Sequence, residues 1–276
     1  RITRPEIDLS RSIETAGKHT TAQFHRTMVV LCITTILRWI LVSLHRQEAC
    51  EADAGNSLGQ ALPAIWEITE LIGQVVNYRY EILEKCGDGN FFSVYKARDK
   101  VLNRLLAVKI LTPHYAQNRE FAERVVGEAQ SLTDLSHPNI GRILESDSQG
   151  DTHFIAVEYV RGINLKDRIR RTAPFAVSYA VDIAIAIANA LEYAHKEGIV
   201  HGDVRPHNVL ISPEGQIKLT DFGMAKALAA FPNIREATIL RSVHYMAPEV
   251  IRGETPQPSS DIYSLAVMLY EMLTGA

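Results

Sequence analysis

Apolar positions fall into distinct textures along the chain. From Met28 to Leu44 the sequence MVVLCITTILRWILVSL is almost unbroken apolar, interrupted by Arg38. Glu51 to Gln60 (EADAGNSLGQ) is polar and glycine-containing, in the manner of a linker. Ala64 to Val76 then places Ile65, Ile68, Leu71, Ile72 and Val75 at helical spacing, which predicts a helix. From Tyr78 the spacing shortens. Tyr80–Leu83, Ser93–Ala97 and Leu105–Leu111 are β-prone runs parted by turn residues, the pattern of an antiparallel meander. Phe121 to Leu135 reads as a helix, and Arg142–Leu144 and His153–Tyr159 read as strands. Val177 to His195 predicts a long apolar helix that Gly198 ends. A loop-rich stretch with short strands at Val209–Ile211 and Ile217–Thr220 follows, then a last apolar helix over Ile262 to Leu273. Strands early and helices late predict an α+β protein of two lobes over residues 78–276, preceded by a helical accessory segment over 1–77.

The run 28–44 is shorter than the ~20 apolar residues a membrane span needs, and a mid-span arginine costs about 3 kcal/mol. Basic residues flank it on both sides (His25, Arg26; His45, Arg46), so the charge asymmetry that orients a span is weak. Two readings stay open: a buried helix of a small helical module, and a membrane helix that tethers the rest. No small-residue cleavage site follows promptly, which argues against a secretory signal. The apolar share of 46% and charged share of 22% are ordinary globular usage and exclude disordered and collagen-like chains. A formal net charge of -3 gives no overall electrostatic footprint for nucleic acid, so no nucleic-acid partner is expected. Cys32, Cys50 and Cys86 are odd in number and widely spaced. They form neither a disulfide framework nor a zinc knuckle, which suits a reducing, cytoplasmic compartment. The chain opens on Arg1 rather than Met, so a fragment or a processed product is expected.

Several short motifs carry chemistry. Gly87-Asp88-Gly89 lies between two strands, where glycine serves a turn or lets backbone N–H groups approach phosphates. The strand that follows argues against a dinucleotide fold, in which a helix must come next. Lys109 sits inside the apolar strand LAVKIL. Directed into a cleft it needs an anionic partner, and Glu128 on the following helix is a candidate; directed outward it is an ordinary surface lysine. His201-Gly202-Asp203-Val204-Arg205-Pro206-His207-Asn208 packs a carboxylate, a cation and a carboxamide between apolar stretches. Asp221-Phe222-Gly223 follows the strand Ile217–Thr220, and a carboxylate beside a carboxamide suits a hard cation such as Mg2+. Taken singly, each Asp or Asn is equally a turn or capping residue.

The conjunction is specific. In order the chain offers GxG, AVK, a helical Glu, HGDxxxxN, DFG and APE, and over residues 78–276 it resembles the eukaryotic-type protein kinases. Tyr245-Met246-Ala247-Pro248-Glu249 and Val157-Glu158-Tyr159-Val160 resemble the serine/threonine branch, with a bacterial type among the options. The resemblance implies a two-lobed fold, ATP and Mg2+ as cofactors, and a protein substrate. It implies that Gly87 and Gly89 lie over the ATP phosphates, that Val94, Ala107 and Leu210 cover the adenine, and that the backbone at Glu158 and Val160 meets the adenine edge in front of Val157. Lys109 would hold phosphates and pair with Glu128. Asp203 would be the catalytic base, Arg205 would neutralise γ-phosphate charge where most serine/threonine members carry Lys, and Asn208 and Asp221 would hold magnesium. The runner-up is a pseudokinase that binds nucleotide or scaffolds.

Three departures stand out. Phe92 occupies the third glycine position of the phosphate loop, where it is expected to stiffen the loop and crowd the triphosphate. Gly202 replaces the arginine that normally receives an activation-loop phosphate, so the common phosphate control is not expected. Arg241-Ser242-Val243 stands where Gly-Thr-Pro is usual, with the Ser242 hydroxyl placed to serve Asp203 and substrate. The chain stops at Ala276, just after a segment resembling the helix that anchors the catalytic loop. The later helices, and the arginine that normally pairs with Glu249, would lie beyond it.

Overall fold

The computed structural model describes residues 71–239 and 243–276. The run 28–44, residues 64–70 of the expected helix, and Ser242 lie outside the described residues. Strand β1 (Val75–Val76) pairs antiparallel with β2 (Tyr80–Asp88), which pairs with β3 (Phe92–Asp99) and then β4 (Arg104–Leu111). Helices α1 (Pro113–Ala116) and α2 (Arg119–Gln130) follow, and β5 (Ile143–Gln149) and β6 (Thr152–Glu158) complete a six-stranded sheet in the order β1-β2-β3-β4-β6-β5. The end of the predicted first helix is therefore corrected. Residues 71–76 make turns and β1, because Val75 and Val76 find Glu81 and Tyr80 as ladder partners, and tertiary pairing outweighs helical spacing.

The period of two in β3, β4 and β6 sorts side chains onto two faces. Tyr95, Ala97, Leu106, Val108, Phe154 and Ala156 share one apolar cluster with Tyr80 and Ile82. The opposite face carries Val94 across from Lys109, and Ala107 across from Val157. Asp99, fully buried, closes the β3–β4 turn. It takes two bonds from the Arg79 guanidinium at 2.9 and 2.7 Å and the backbone N–H groups of Val101 and Leu102 at 3.0 and 3.1 Å. The Arg79 bonds lower the Asp99 carboxyl to about 2. A depressed carboxyl stabilises the fold above its unfolded-state pKa of about 4, and that stability fades as pH falls toward 2. Asp99→Asn is accordingly expected to lower Tm at neutral pH. Calorimetry of both proteins should show the gap closing between pH 4 and 2; a gap that persists unchanged to pH 2 would show that the carboxylate charge is not what stabilises the turn.

After β6 come β7 (Ile163–Asn164), α3 (Leu165–Thr172) and α4 (Val177–Lys196), then β8 (Val209–Ile211) and β9 (Ile217–Leu219), which form a small sheet in the order β7-β8-β9. Helices α5 (Met224–Ala229), α6 (Pro232–Ile239), α7 (Pro248–Ile251) and α8 (Pro258–Thr274) follow. Among the described residues, α4 alone is long and apolar enough to cross a membrane by length and composition. Its Ile183, Ile187 and Leu191 are fully buried, and it packs on α8, whose Leu265, Met268, Leu269 and Met272 are buried as well. Alanines at 180, 184, 186, 190 and 194 of α4 are also buried, and small side chains let helix backbones pack closely. Helix α8 starts at Pro258 with a capping box between Gln257 and Ser260, and ends on Gly275 in the left-handed region.

Candidate active site

The β2–β3 hairpin brings the glycine motif over the face that carries Val94, Ala107 and Lys109. Gly87 lies opposite Val94, and the Gly89 N–H donates to the Phe92 carbonyl at 2.7 Å. A Cβ at Gly89 would stand 3.3 Å from that carbonyl, so glycine suits the close approach. Phe92 opens β3 on the same face as Val94, and it is buried. Its side chain is thus shielded from solvent. The Phe91 ring lies 4.9 Å from that of Tyr115, tilted by 52°.

The opposite wall is the loop between α4 and β8. Asp261 of α8 is 1% exposed and holds that loop. Its carboxylate accepts the N–H groups of His201 and Gly202 at 2.9 and 2.8 Å and meets His195 Nε2 at 2.8 Å. His201 Nε2 lies 2.8 Å from the Thr220 carbonyl, and its ring stands edge-on to Phe222 at 4.5 Å, so the Asp203 and Asp221 segments are fixed to one another. Asn208 Nδ2 donates to the Asp203 carbonyl at 2.8 Å and to its carboxylate at 3.0 Å. Arg205 Nε stands 3.3 Å from the same carboxylate. Burial pushes the Asp203 carboxyl above its ordinary range, against the pull of Arg205. Burial alone would raise Asp221 too, but Lys109 outweighs it and holds that carboxyl low. Three cations, Arg205, Lys166 and Arg170, add to desolvation in disfavouring protonated His207.

Glu158 ends β6 with its N–H on the Arg142 carbonyl at 2.9 Å, and its carboxylate takes Lys218 at 2.9 Å. Val160 follows, half-buried. Leu210, also half-buried, sits on β8 between Asn164 and Lys218.

One expected contact is not made. Lys109 pairs with Asp221 rather than with Glu128. Glu128 instead takes Arg124 at 2.8 Å on its own helix and Lys226 at 2.8 Å from α5. The physical reason is α5, which begins directly after Gly223 and lies along α2. A Cβ at Gly223 would come 2.8 Å from Leu132 of the segment after α2, and a Cβ at Gly202 would come 2.6 Å from Ala225. Both glycines have positive φ, 88° and 72°. An arginine at position 202 would not fit beside α5 in this arrangement. In protein kinases the Lys–Glu pair belongs to the working state, so the arrangement here is a resting one.

Sequence reasoning passed over three residues of the site. Lys226 carries no motif, because its role depends on α5 packing against α2. Lys218 alternates on a short strand like any surface lysine. Asp261 was legible only as part of the helix that anchors the loop. Glu249 accepts the Ser260 hydroxyl at 2.6 Å.

A two-lobed fold whose cleft joins a glycine hairpin, a strand lysine and an Asp–Asn loop defines a protein kinase. The chain belongs to the protein kinase family: the family's model, described as the protein kinase domain, matches residues 80–276. It is 43% identical over 205 residues to the serine/threonine-protein kinase PrkC of Bacillus subtilis, covering 74% of this chain and 32% of that protein. It is 42% identical over 205 residues to a probable serine/threonine-protein kinase of Clostridium perfringens, covering 74% of this chain and 30% of that one. The crystal structure of the Mycobacterium tuberculosis PknI kinase domain superposes with a TM-score of 0.62 at 27% identity, covering 75% of this chain and 78% of that one. The chain spans about a third of the length of these Bacillus and Clostridium relatives.

Proposed function

We propose that this chain is an ATP- and Mg2+-dependent protein kinase that transfers the γ-phosphoryl group of ATP to a serine or threonine hydroxyl of a protein. The observation that carries the reading is the loop in which Asp203, Arg205 and Asn208 are hydrogen-bonded or ion-paired together, facing a sheet that presents Lys109 beside Asp221. Among the described residues there is no cluster of three or more His, Cys, Asp or Glu, but Mg2+ needs few protein ligands when phosphates supply the rest. Asn208 spends its Nδ2 on Asp203, which leaves the amide oxygen for a hard cation, and Asp221 adds a carboxylate held ionised by Lys109. The residues therefore fit the metal, which when bound neutralises phosphate charge.

Asp203 takes the hydroxyl proton as the new oxygen–phosphorus bond forms and the bond to the β-phosphate oxygen breaks. Arg205 beside it offsets charge on the transferring group. Lys109 holds phosphate oxygens once it leaves Asp221. Most of the rate then comes from position and preorganised charge. A pseudokinase role would need none of Lys109, Asp203, Asn208 and Asp221 together, and all four are present. Attachment to a membrane through residues 28–44 rests on the sequence alone. The test is incubation with γ-labelled ATP, Mg2+ and generic protein acceptors, followed by phosphoamino-acid analysis. Phosphoserine and phosphothreonine are expected; label on tyrosine alone would overturn the serine/threonine assignment.

A further inference from the structure

Among the described residues, rings from four segments meet at the start of α2. Phe121 is fully buried there, and its N–H donates to the side chain of Asn118, which caps the helix, at 3.1 Å. The Phe121 ring centroid lies 5.9 Å from that of Phe91 in the β2–β3 hairpin and 5.8 Å from that of Tyr115 in α1. It lies 5.2 Å from that of Phe231, edge-on. The Phe91 carbonyl accepts the Thr112 N–H at 2.8 Å, so the hairpin tip is tied to the residue that leads into α1. Phe231 is the joint between α5 and α6. Its N–H donates to the Leu228 carbonyl at 3.0 Å, and its own carbonyl accepts the Arg235 N–H at 2.9 Å.

Tilted and edge-on ring pairs of this kind attract beyond the apolar area they bury. Phe121 and Glu128 are two helical turns apart and so share a face of α2. That face holds the chain after Gly223 at two points: Glu128 takes Lys226 from α5, and Phe121 takes Phe231 from the joint that follows. The Lys226 side chain is 67% exposed, so its ion pair is a weak hold. The aromatic contact rests on a fully buried ring and is the firmer of the two. The same ring carries Phe91, so one side chain bridges the hairpin tip and the α5–α6 segment.

We propose that Phe91, Tyr115, Phe121 and Phe231 form an autoinhibitory latch, which fastens the glycine hairpin and the α5–α6 segment to α2 and keeps Glu128 away from Lys109. The proposal rests on the kinase reading above and names a contact that regulates that same site. The latch opens when Phe231 withdraws from Phe121. Helix α5 then loses its firmer hold on α2, Lys226 leaves with it, and Glu128 is freed for Lys109, the pair of the working state. Because Phe91 rests on the same ring, the hairpin tip loosens together with the segment.

The test uses the full chain and two readouts. One is amide hydrogen exchange at residues 87–92 and 224–239, with α4 and α8 as internal controls. The other is initial transfer of label from γ-labelled ATP, with Mg2+, to a generic protein acceptor. Phe231→Ala is the main variant, because Phe231 is only half-buried. Exchange is expected to rise about two- to tenfold in both segments and transfer to rise by a similar factor, the scale of one aromatic pair. Phe91→Ala should in turn raise exchange at 224–239, since coupling between two sites is reciprocal. Phe231→Tyr keeps the ring and should behave as the wild type. Tyr115→Ala, at another half-buried ring, is the second variant and should act as Phe231→Ala does. Exchange that rises at 224–239 alone, or equally in α4 and α8, in both alanine variants would reduce the rings to packing and overturn the proposal. Transfer that is unchanged or slower than that of an active wild type would overturn it as well. If exchange rises in both segments but neither wild type nor variant transfers label, the latch stands and the kinase reading fails. If the wild type transfers and exchange at 87–92 ignores Phe231→Ala, the reverse holds.

Discussion

Asp203→Asn is expected to lower the rate of phosphoryl transfer by about a thousandfold while nucleotide affinity stays within about threefold. The substitution keeps size and shape; it weakens the ion pair with Arg205 but leaves the backbone contacts of the loop in place. The Asp203 carbonyl still receives Asn208 Nδ2, and its N–H still reaches His201 Nδ1 at 3.2 Å. What is lost is an oxygen able to take the proton of the acceptor hydroxyl. Because the proposed contacts with nucleotide are made by Lys109, the hairpin and the metal ligands, binding should barely change. The comparison is single-turnover transfer beside nucleotide titration. A variant that binds nucleotide and transfers as fast as the wild type would remove Asp203 from the base position.

Lys109→Met is expected to cost about a hundredfold or more in transfer, since one positioned charge on developing phosphate negativity is worth several kcal/mol. The more informative result comes from its partners. In the resting arrangement Lys109 holds Asp221 while Glu128 holds Arg124 and Lys226. If the working state forms by exchange of these pairs, Lys109→Met and Glu128→Gln should be non-additive in transfer although the two side chains are not paired at rest. Lys226→Gln should then raise the initial rate about two- to fivefold, the scale of one exposed ion pair, because it releases Glu128. Strict additivity together with an unchanged rate in Lys226→Gln would mean that Glu128 never reaches Lys109, and that the resting arrangement is also the working one.

Much of the fold was legible because local signals agreed with it. The strands around Ala97 and Lys109 are β-prone runs bounded by turn residues, and the helix over Val177–Lys196 is apolar at helical spacing and ends near Gly198. The strand from Tyr80 runs through Gly87 to Asp88, farther than its apolar residues suggest, because two bulges let the glycine segment keep pairing with β3. Residues 71–76 misled for the opposite reason: their spacing is helical, but pairing with β2 decides the outcome. Helix α3 escaped notice because its charged face outweighs two buried positions, Leu165 and Ile169. In the site, Lys109, Asp203, Asn208 and Asp221 stand out in the sequence because phosphoryl transfer calls for those side chains in that order, and the structure brings Lys109 to Asp221 and Asn208 to Asp203. The exchange of Glu128 from Lys109 to Lys226 was not readable. It depends on a helix placed directly after Gly223, and no residue type announces which of two nearby cations a carboxylate will choose.

The central claim is that this cleft moves a phosphoryl group to a protein hydroxyl through Asp203. Its most direct measurement is transfer of label from γ-labelled ATP to a protein acceptor in the presence of Mg2+, with the wild-type chain and Asp203→Asn run side by side at matched nucleotide occupancy. The account predicts labelled phosphoserine or phosphothreonine from the wild type and a rate about a thousandfold lower from the variant. Nucleotide bound equally by both proteins, with no label transferred by the wild type, would contradict it.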